Sequence, residues 1–203
     1  MLGYDERSWT MRVIAGSCKG RRIAPPRWDG LRPSSDRLRE TLFNILGDAV
    51  IGRRVMDGCA GTGAMGIEAL SRGAAHVVFV DVDQRSVSLI RRNVVTCGLL
   101  GRCVIVEGAL PKVFDQFAQD LFDLILLDPP YGANTIGGML AGALSCLEKQ
   151  GIMVLERTRR QEINTSPMLE MRRSVRVGNS VLDFFARVDG RSSLRHVVKK
   201  SLV

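Results

Sequence analysis

Histidine and paired cysteine are scarce in this chain. Its 203 residues include two histidines, His76 and His196, and five cysteines without a Cys-x-x-Cys pair. This scarcity argues against a zinc site with His/Cys spacing, and it leaves few candidates for Ser-His or Cys-His catalysis. An odd number of unpaired cysteines is typical of reduced thiols, so the sequence predicts a cytoplasmic protein without a bound metal.

Long apolar runs are missing as well. No stretch approaches the roughly 18 residues that a membrane span needs, and the first ten residues lack the form of a signal peptide. With 45% hydrophobic and 25% charged residues, the composition is that of an ordinary globular protein. We expect one soluble domain over residues 11–190 without a membrane partner, with an extension at residues 1–10 and a basic tail at residues 191–203.

The 29 basic and 21 acidic residues are unevenly distributed. Residues 1–54 have a net charge of +5, residues 55–156 of −4, and residues 157–203 of +7. Basic flanks around an acidic centre indicate a polyanion-binding surface beside a differently charged site. Charge alone leaves open the alternative of an ordinary solvated surface.

Short β-rich runs alternate with helix-length segments through the middle of the chain. Continuous apolar strands separated by helices are typical of an α/β fold with a parallel sheet covered on both faces. The predicted strands are 55–56, 77–80, 103–106, 122–127 and 152–155, and the predicted helices are 64–72, 85–97, 110–117 and 136–147. Two further strands, 169–177 and 181–188, flank Gly178-Asn179 and predict a C-terminal antiparallel hairpin.

The N-terminal segment lies outside this alternation. Residues 12–15 and 21–24 predict two short strands of a small hairpin. Ser34 or Ser35 then N-caps a predicted helix that carries apolar residues on one face and ends at Gly47.

A glycine-rich turn from Asp57 to Gly63 follows the first strand of the alternating region. The Gly61-x-Gly63 pair lets the backbone approach a ligand closely, and the next helix begins with free N–H groups. Asp81 ends the second strand, where a carboxylate can accept hydrogen bonds from ribose hydroxyls. The arrangement predicts a nucleoside-containing cofactor. Gly66 completes a formal Gly-x-Gly-x-x-Gly pattern, so a nicotinamide oxidoreductase is an alternative at this point.

A second motif, Asp128-Pro129-Pro130-Tyr131, ends the fourth strand and should face the same crevice. Asp128 can accept hydrogen bonds from an exocyclic amino group and orient its lone pair toward an electrophilic methyl group. The two prolines hold the acceptors rigidly, and Tyr131 offers a ring on which an extruded base can stack. The motif therefore predicts alkylation of a base amino group, which a nicotinamide oxidoreductase does not explain.

Together these motifs resemble the S-adenosylmethionine-dependent class I methyltransferases that modify amino groups of bases. Four segments narrow the resemblance to the bacterial 16S rRNA guanine-N2 methyltransferase family (RsmD): residues 11–16, 20–23, 31–44 and 66–74. The resemblance is detailed over about residues 11–156. It implies a Rossmann-like seven-stranded sheet, with residues 11–50 forming an N-terminal β-hairpin and helix that close over the cofactor.

The resemblance also implies roles for individual residues. Asp57 and the glycine turn would hold the methionine portion of S-adenosylmethionine, and Asp81 the ribose. The acidic residue that is usual after the third strand falls at Gly108, so either Glu107 or the backbone would bind the adenine amino group. The predicted cofactor set is Ser35, Arg37, Asp57, Gly58, Cys59, Ala60, Gly61, Thr62, Gly63, Asp81, Val82, Glu107, Gly108 and Ala109, with Ser35 and Arg37 at the cofactor entrance.

Residues 12–39 contain eight basic and two acidic side chains. Such a stretch fits contact with a phosphate backbone, which depends on salt but not on base sequence. The partner would be 16S rRNA, either naked or in a small-subunit assembly particle. The predicted RNA-binding residues are Arg12, Lys19, Arg21, Arg22 and Arg32.

The predicted function is transfer of a methyl group from S-adenosylmethionine to the N2 amino group of a guanine in 16S rRNA, by a monomer. Two alternatives stay open. A DNA adenine-N6 or cytosine-N4 methyltransferase shares the Asp-Pro-Pro-Tyr motif, although 203 residues leave little room for a target-recognition domain. A non-catalytic RNA-binding assembly factor would have no need of the complete motif set.

Overall fold

The computed structural model describes residues 11–28, 35–118, 120–130 and 135–188. The strands are β1 (Met11–Arg12), β2 (Arg22–Ile23), β3 (Arg54–Gly58), β4 (His76–Asp81), β5 (Cys103–Glu107), β6 (Phe122–Leu127), β7 (Leu147–Thr158), β8 (Leu169–Val177) and β9 (Ser180–Arg187). The helices are α1 (Asp36–Leu46), α2 (Ala64–Ser71), α3 (Gln84–Cys97) and α4 (Ile136–Cys146), and three short 3-10 helices cover Gly47–Val50, Leu100–Arg102 and Lys112–Phe117.

Seven strands form one sheet in the order β5-β4-β3-β6-β7-β9-β8, and β1 and β2 form a separate two-stranded hairpin. The strands from β3 to β7 run parallel, whereas β9 is antiparallel to both β7 and β8. The predicted α/β fold with a C-terminal antiparallel hairpin and a small N-terminal hairpin is therefore confirmed. From β3 the chain adds β4 and β5 on one side of the sheet and then β6 and β7 on the other side. Because the direction of strand addition reverses at β3, the carboxyl ends of β3, β4 and β6 meet around one crevice.

The four central strands are apolar because helices cover both faces of the sheet. One buried cluster joins the hairpin, α1, α2 and α3 to one face, and a second cluster joins α4 and the last 3-10 helix to the other face. Residues 77–80 of β4 and 124–127 of β6 are each at most 3% exposed. Because both faces of these strands are buried, their residues are apolar without interruption and do not alternate between apolar and polar.

Two predicted boundaries differ from the structure around β7. The helix predicted over 136–147 ends in the structure at Cys146. The strand predicted over 152–155 is longer in the structure and extends from Leu147 to Thr158. Gly151 lies inside this strand at a register shift, and a Cβ there would stand 2.7 Å from Leu147 Cδ1. The glycine thus allows an irregularity within the strand. From the sequence alone, a glycine in this role looks the same as one in a turn that precedes a strand.

Buried polar side chains attach the N-terminal hairpin to α2. The Glu68 carboxylate is 1% exposed and accepts hydrogen bonds from the backbone N–H groups of Ile14 and Ala15, at 2.8 and 3.0 Å. The Ser71 hydroxyl donates to the Ala15 carbonyl oxygen. Gly16 has a positive φ of 81°, and a Cβ there would stand 1.9 Å from the Ser71 carbonyl oxygen. The hairpin is therefore fixed against α2 by contacts that leave no room for a side chain at residue 16.

Across the described ranges, no helix has the length and apolar character that crossing a membrane requires.

Candidate active site

Carboxylates stand at the carboxyl ends of neighbouring parallel strands. Asp57 is the residue before the last in β3, Asp81 ends β4, and Asp128 directly follows β6. The Asp128 backbone N–H donates to the Gly58 carbonyl oxygen at 3.2 Å, which ties the end of β6 to the end of β3. The structure therefore brings these three predicted site residues to one edge of the sheet.

The turn after β3 is held in a conformation that exposes backbone. Cys59, Gly61 and Gly63 all have positive φ angles, between 57° and 76°. The Asp81 carboxylate accepts a hydrogen bond from the Gly61 N–H at 2.7 Å and a second from the Asp83 N–H at 2.9 Å. Asp81 thus positions the turn and still has lone pairs available for ribose hydroxyls.

Asp57 supports the start of α2. Its carboxylate is 2% exposed and accepts a hydrogen bond from the Gly66 N–H at 2.8 Å. Burial raises the pKa of the Asp57 carboxyl to about 7, with the hydrogen bond from Gly66 opposing the shift and the charge of Asp81 adding to it. A cationic ligand in the crevice would favour the ionised form of this carboxyl and lower its pKa again.

Gly66 has a packing role that accounts for the formal dinucleotide pattern. A Cβ at this position would stand 2.3 Å from Cε1 of Phe79 on β4. The glycine therefore lets α2 lie close against the sheet. This contact explains the third glycine of the pattern without any pyrophosphate.

The pKa of the Cys59 thiol reflects the negative charge of the crevice. The pKa of its thiol is raised to about 12 by burial and then by the negative charges of Asp81, Asp128 and Asp57, in that order. The thiol is consequently protonated and unreactive near neutral pH. Three carboxylates acting on one side chain create a negative field that suits a cationic ligand.

The predicted adenine-binding residues lie beside Asp81. Glu107 ends β5 directly opposite Asp81, and the Gly108 N–H donates to the Asp81 carbonyl oxygen at 2.9 Å. Val82 is 68% exposed, and Glu107 and Ala109 are also exposed. An exposed apolar side chain beside an exposed carboxylate is suited to one face and one edge of a flat base.

The Asp-Pro-Pro segment is described as far as Pro130. Asp128 is half-buried, Pro129 is buried and Pro130 is exposed, so the segment leads from the sheet edge to the surface. Tyr131 lies outside the described residues, and its predicted stacking role stays a prediction.

The first turn of α1 contains two of the predicted cofactor residues. Ser35 N-caps the helix, and its hydroxyl accepts a hydrogen bond from the Leu38 N–H at 3.2 Å. Arg37 is exposed. Leu42, one turn further along, lines a small cavity together with Asp57 and Asp128. The helix therefore lies above the crevice, while contact of Ser35 or Arg37 with a cofactor stays a prediction.

Four of the predicted RNA-binding residues lie on or beside the hairpin and are exposed: Arg12, Lys19, Arg21 and Arg22. The Arg21 guanidinium donates to the Thr96 carbonyl oxygen near the end of α3, and Arg12 lies 3.8 Å from Asp36. Lys19 and Arg22 are the more direct candidates for phosphate contact. Arg32 lies outside the described residues, as do both terminal extensions.

The sequence interpretation missed three buried polar residues. One of them is Glu68, which accepts from the hairpin backbone. Another is Asn93 of α3, whose side-chain amide accepts from the Ala24 N–H and donates to the carbonyl oxygens of Ala24 and Thr62. Glu156, which is 5% exposed, lines the small cavity beside Asp128. Polar residues on apolar helix faces could have indicated the first two. A carboxylate at the end of the fifth apolar strand could have indicated the third.

In the described ranges, no group of three or more His, Cys, Asp or Glu side chains is arranged to hold an ion.

The profile of the family described as "Conserved hypothetical protein 95" matches residues 11–186. The Bacillus subtilis protein named "Putative rRNA methyltransferase YlbH" is 34% identical over 157 residues, covering 75% of this chain and 85% of that protein. The Escherichia coli K12 protein named "Ribosomal RNA small subunit methyltransferase D" is 32% identical over 144 residues, covering 71% of this chain and 70% of that protein.

Solved structures agree with these relatives. The putative methyltransferase yhhF from Escherichia coli has a TM-score of 0.74 and 26% identity, covering 88% of this chain and 98% of that chain. A putative methyltransferase complexed with SAH shares the fold at a TM-score of 0.61 and 16% identity, covering 77% of this chain and 51% of that chain. The chain belongs to the Conserved hypothetical protein 95 family, and its resemblance to the bacterial rRNA small-subunit methyltransferases of the RsmD family is confirmed.

Proposed function

We propose that this protein transfers a methyl group from S-adenosylmethionine to the N2 amino group of a guanine in 16S rRNA during small-subunit maturation. The observation that carries the proposal is the convergence of Asp57, Asp81 and Asp128 around the glycine turn. The names of the Bacillus subtilis and Escherichia coli relatives support ribosomal RNA as the substrate.

The residues of the crevice fit the proposed cofactor. Asp81 accepts ribose hydroxyls, the backbone of the turn and Asp57 hold the methionine portion, and Val82 and Glu107 border the adenine. The negative field of the three carboxylates favours a sulfonium cation. When bound, S-adenosylmethionine supplies an electrophilic methyl group. A solved structure of the same fold that contains SAH supports this choice.

Asp128 acts on the acceptor. Its carboxylate would accept a hydrogen bond from the exocyclic amino group and orient the nitrogen lone pair toward the methyl group that S-adenosylmethionine would supply. It would also favour loss of the amino proton as the C–N bond forms, while the S–CH3 bond breaks and S-adenosylhomocysteine leaves. Pro129 and Pro130 restrict the backbone around this carboxylate. Tyr131 supplies the stacking surface for the extruded base.

A methyl-transfer assay tests the function. Purified protein and S-adenosylmethionine labelled in the methyl group are incubated with small-subunit particles, naked 16S rRNA or DNA, and labelled nucleosides are identified after digestion. We expect label in N2-methylguanosine from the RNA substrates. Label in DNA would favour the DNA methyltransferase alternative, and binding of RNA without transfer would favour the assembly factor.

The hairpin is proposed to bind the rRNA backbone. Replacing Lys19 and Arg22 with glutamate should reduce the slope of log affinity against log salt concentration by about 2, because each lost phosphate contact removes about one released counterion. Affinity for S-adenosylmethionine should not change. Lys149→Glu, which alters an exposed lysine away from the hairpin, is the control. An unchanged salt slope in the double variant would refute the assignment.

A further inference from the structure

Glu156 is a buried carboxylate at the acceptor end of the crevice that the cofactor site does not use. It lies in β7, two residues before the strand ends, and 5% of it is exposed. One carboxylate oxygen accepts a hydrogen bond from the Ser180 hydroxyl of β9 at 2.8 Å. Held by the neighbouring strand, this side chain has a fixed direction.

On the other side of β7, away from β9, Glu156 neighbours Asp128. Leu155 of β7 stands opposite Leu127 of β6 in the parallel register, so the next residues along, Glu156 and Asp128, are neighbours across the two strands. Both line the same small cavity. A base whose amino group is bound by Asp128 would have the same edge on the side where Glu156 lies.

Two adjacent carboxylates select a particular base edge. When both carboxylates are ionised, they can only accept hydrogen bonds. Guanine presents two neighbouring donors on its Watson–Crick edge, the N1–H and the N2 amino group. Adenine and cytosine present one amino group beside a ring nitrogen that is itself an acceptor, which would repel the second carboxylate.

We infer that Glu156 is a specificity-determining residue that accepts the N1–H of the target guanine while Asp128 accepts its N2 amino group. The inference rests on the proposed function and adds to it how guanine is distinguished from other bases that carry amino groups. Ser180 holds the Glu156 carboxylate in position for this contact.

The wild-type protein gives the first test. An RNA substrate that is methylated at one guanine is prepared with 2-aminopurine at that position, which retains the N2 amino group but has an acceptor in place of the N1–H. We expect kcat/KM for guanine to exceed that for 2-aminopurine by about 100-fold, the upper range for one hydrogen-bonded contact to a base edge. Equal rates on the two substrates would refute the inference.

Variants give the second test. Glu156→Gln introduces an amide N–H that can face the acceptor of 2-aminopurine, so the preference for guanine should fall below about tenfold. Glu156→Asp keeps the charge and should keep a preference for guanine while lowering the rate. Glu162→Gln, an exposed glutamate, is the matched control and should behave as wild type.

Calorimetry with S-adenosylmethionine separates misfolding from loss of specificity, because a folded Glu156→Gln protein should retain wild-type cofactor affinity. An unchanged preference in that folded variant would refute the role of Glu156 and leave the proposed function intact. Absence of any guanine methylation by the wild-type protein would refute the proposed function itself.

Discussion

Replacing Asp128 with alanine is expected to reduce methyl transfer to rRNA by about 10³-fold, within the range for a positioned acid or base. The carboxylate follows β6 directly, and its own backbone N–H is bonded to Gly58, so its position is set by the sheet. Alanine at this position leaves the amino group without its acceptor while the sheet edge stays in place. The loss should therefore appear in kcat more than in KM.

Asp128→Asn and Asp115→Ala complete this experiment. Asparagine keeps one acceptor oxygen and should recover part of the rate, whereas Asp115 is exposed on a 3-10 helix and its loss should have no effect. Affinity for S-adenosylmethionine should fall by only a few-fold in the two Asp128 variants, because Asp128 contributes one part of the negative field and acts mainly on the acceptor. It should not change in Asp115→Ala. Full activity of Asp128→Ala on rRNA would contradict the proposed mechanism.

The second large effect is expected at Asp81. Asp81→Asn should weaken S-adenosylmethionine binding by about 100-fold or more, as measured by calorimetry. The two Asp81 oxygens accept from the Gly61 and Asp83 N–H groups, and an amide would place a donor against one of them. An amide N–H that faces a backbone N–H disturbs the glycine turn. In addition, the ribose hydroxyls lose a charged hydrogen-bond acceptor.

The matched control for Asp81 is Asp120→Asn, which alters an exposed aspartate before β6. It should leave cofactor affinity unchanged. The thermal midpoint of each protein without ligand shows whether the fold survives. Wild-type affinity in a folded Asp81→Asn protein would exclude Asp81 from the ribose site.

The sequence was sufficient to predict the strands and the crevice, because buried parallel strands and their terminal carboxylates leave a pattern in consecutive residues. The start of β7 was wrong because Gly151 can either begin a strand or permit an irregularity inside one. The pattern of Gly66 suggested pyrophosphate, although its cause is contact with Phe79, which is distant in sequence. Contacts of this kind depend on the distance between α2 and β4, which local patterns do not contain.

The same limit applies to the polar residues that the sequence did not reveal. Glu68 and Asn93 lie on helix faces that are otherwise apolar, and their partners are backbone groups of the N-terminal hairpin, more than 50 residues away. Glu156 had no predicted role, and it lay outside the strand predicted over 152–155. Its proximity to Asp128 follows from the pairing of β6 with β7 and not from either strand alone.

The attachment of the hairpin to α2 and α3 has a consequence for how a target nucleotide is chosen. These helices also follow the glycine turn and Asp81, so the same two helices connect the hairpin to the proposed cofactor site. If RNA docks on Lys19 and Arg22, the docking point and the reacting methyl group keep a constant separation during turnover. The proposed function then predicts that the modified guanine is selected by its distance from this docking point in the folded RNA.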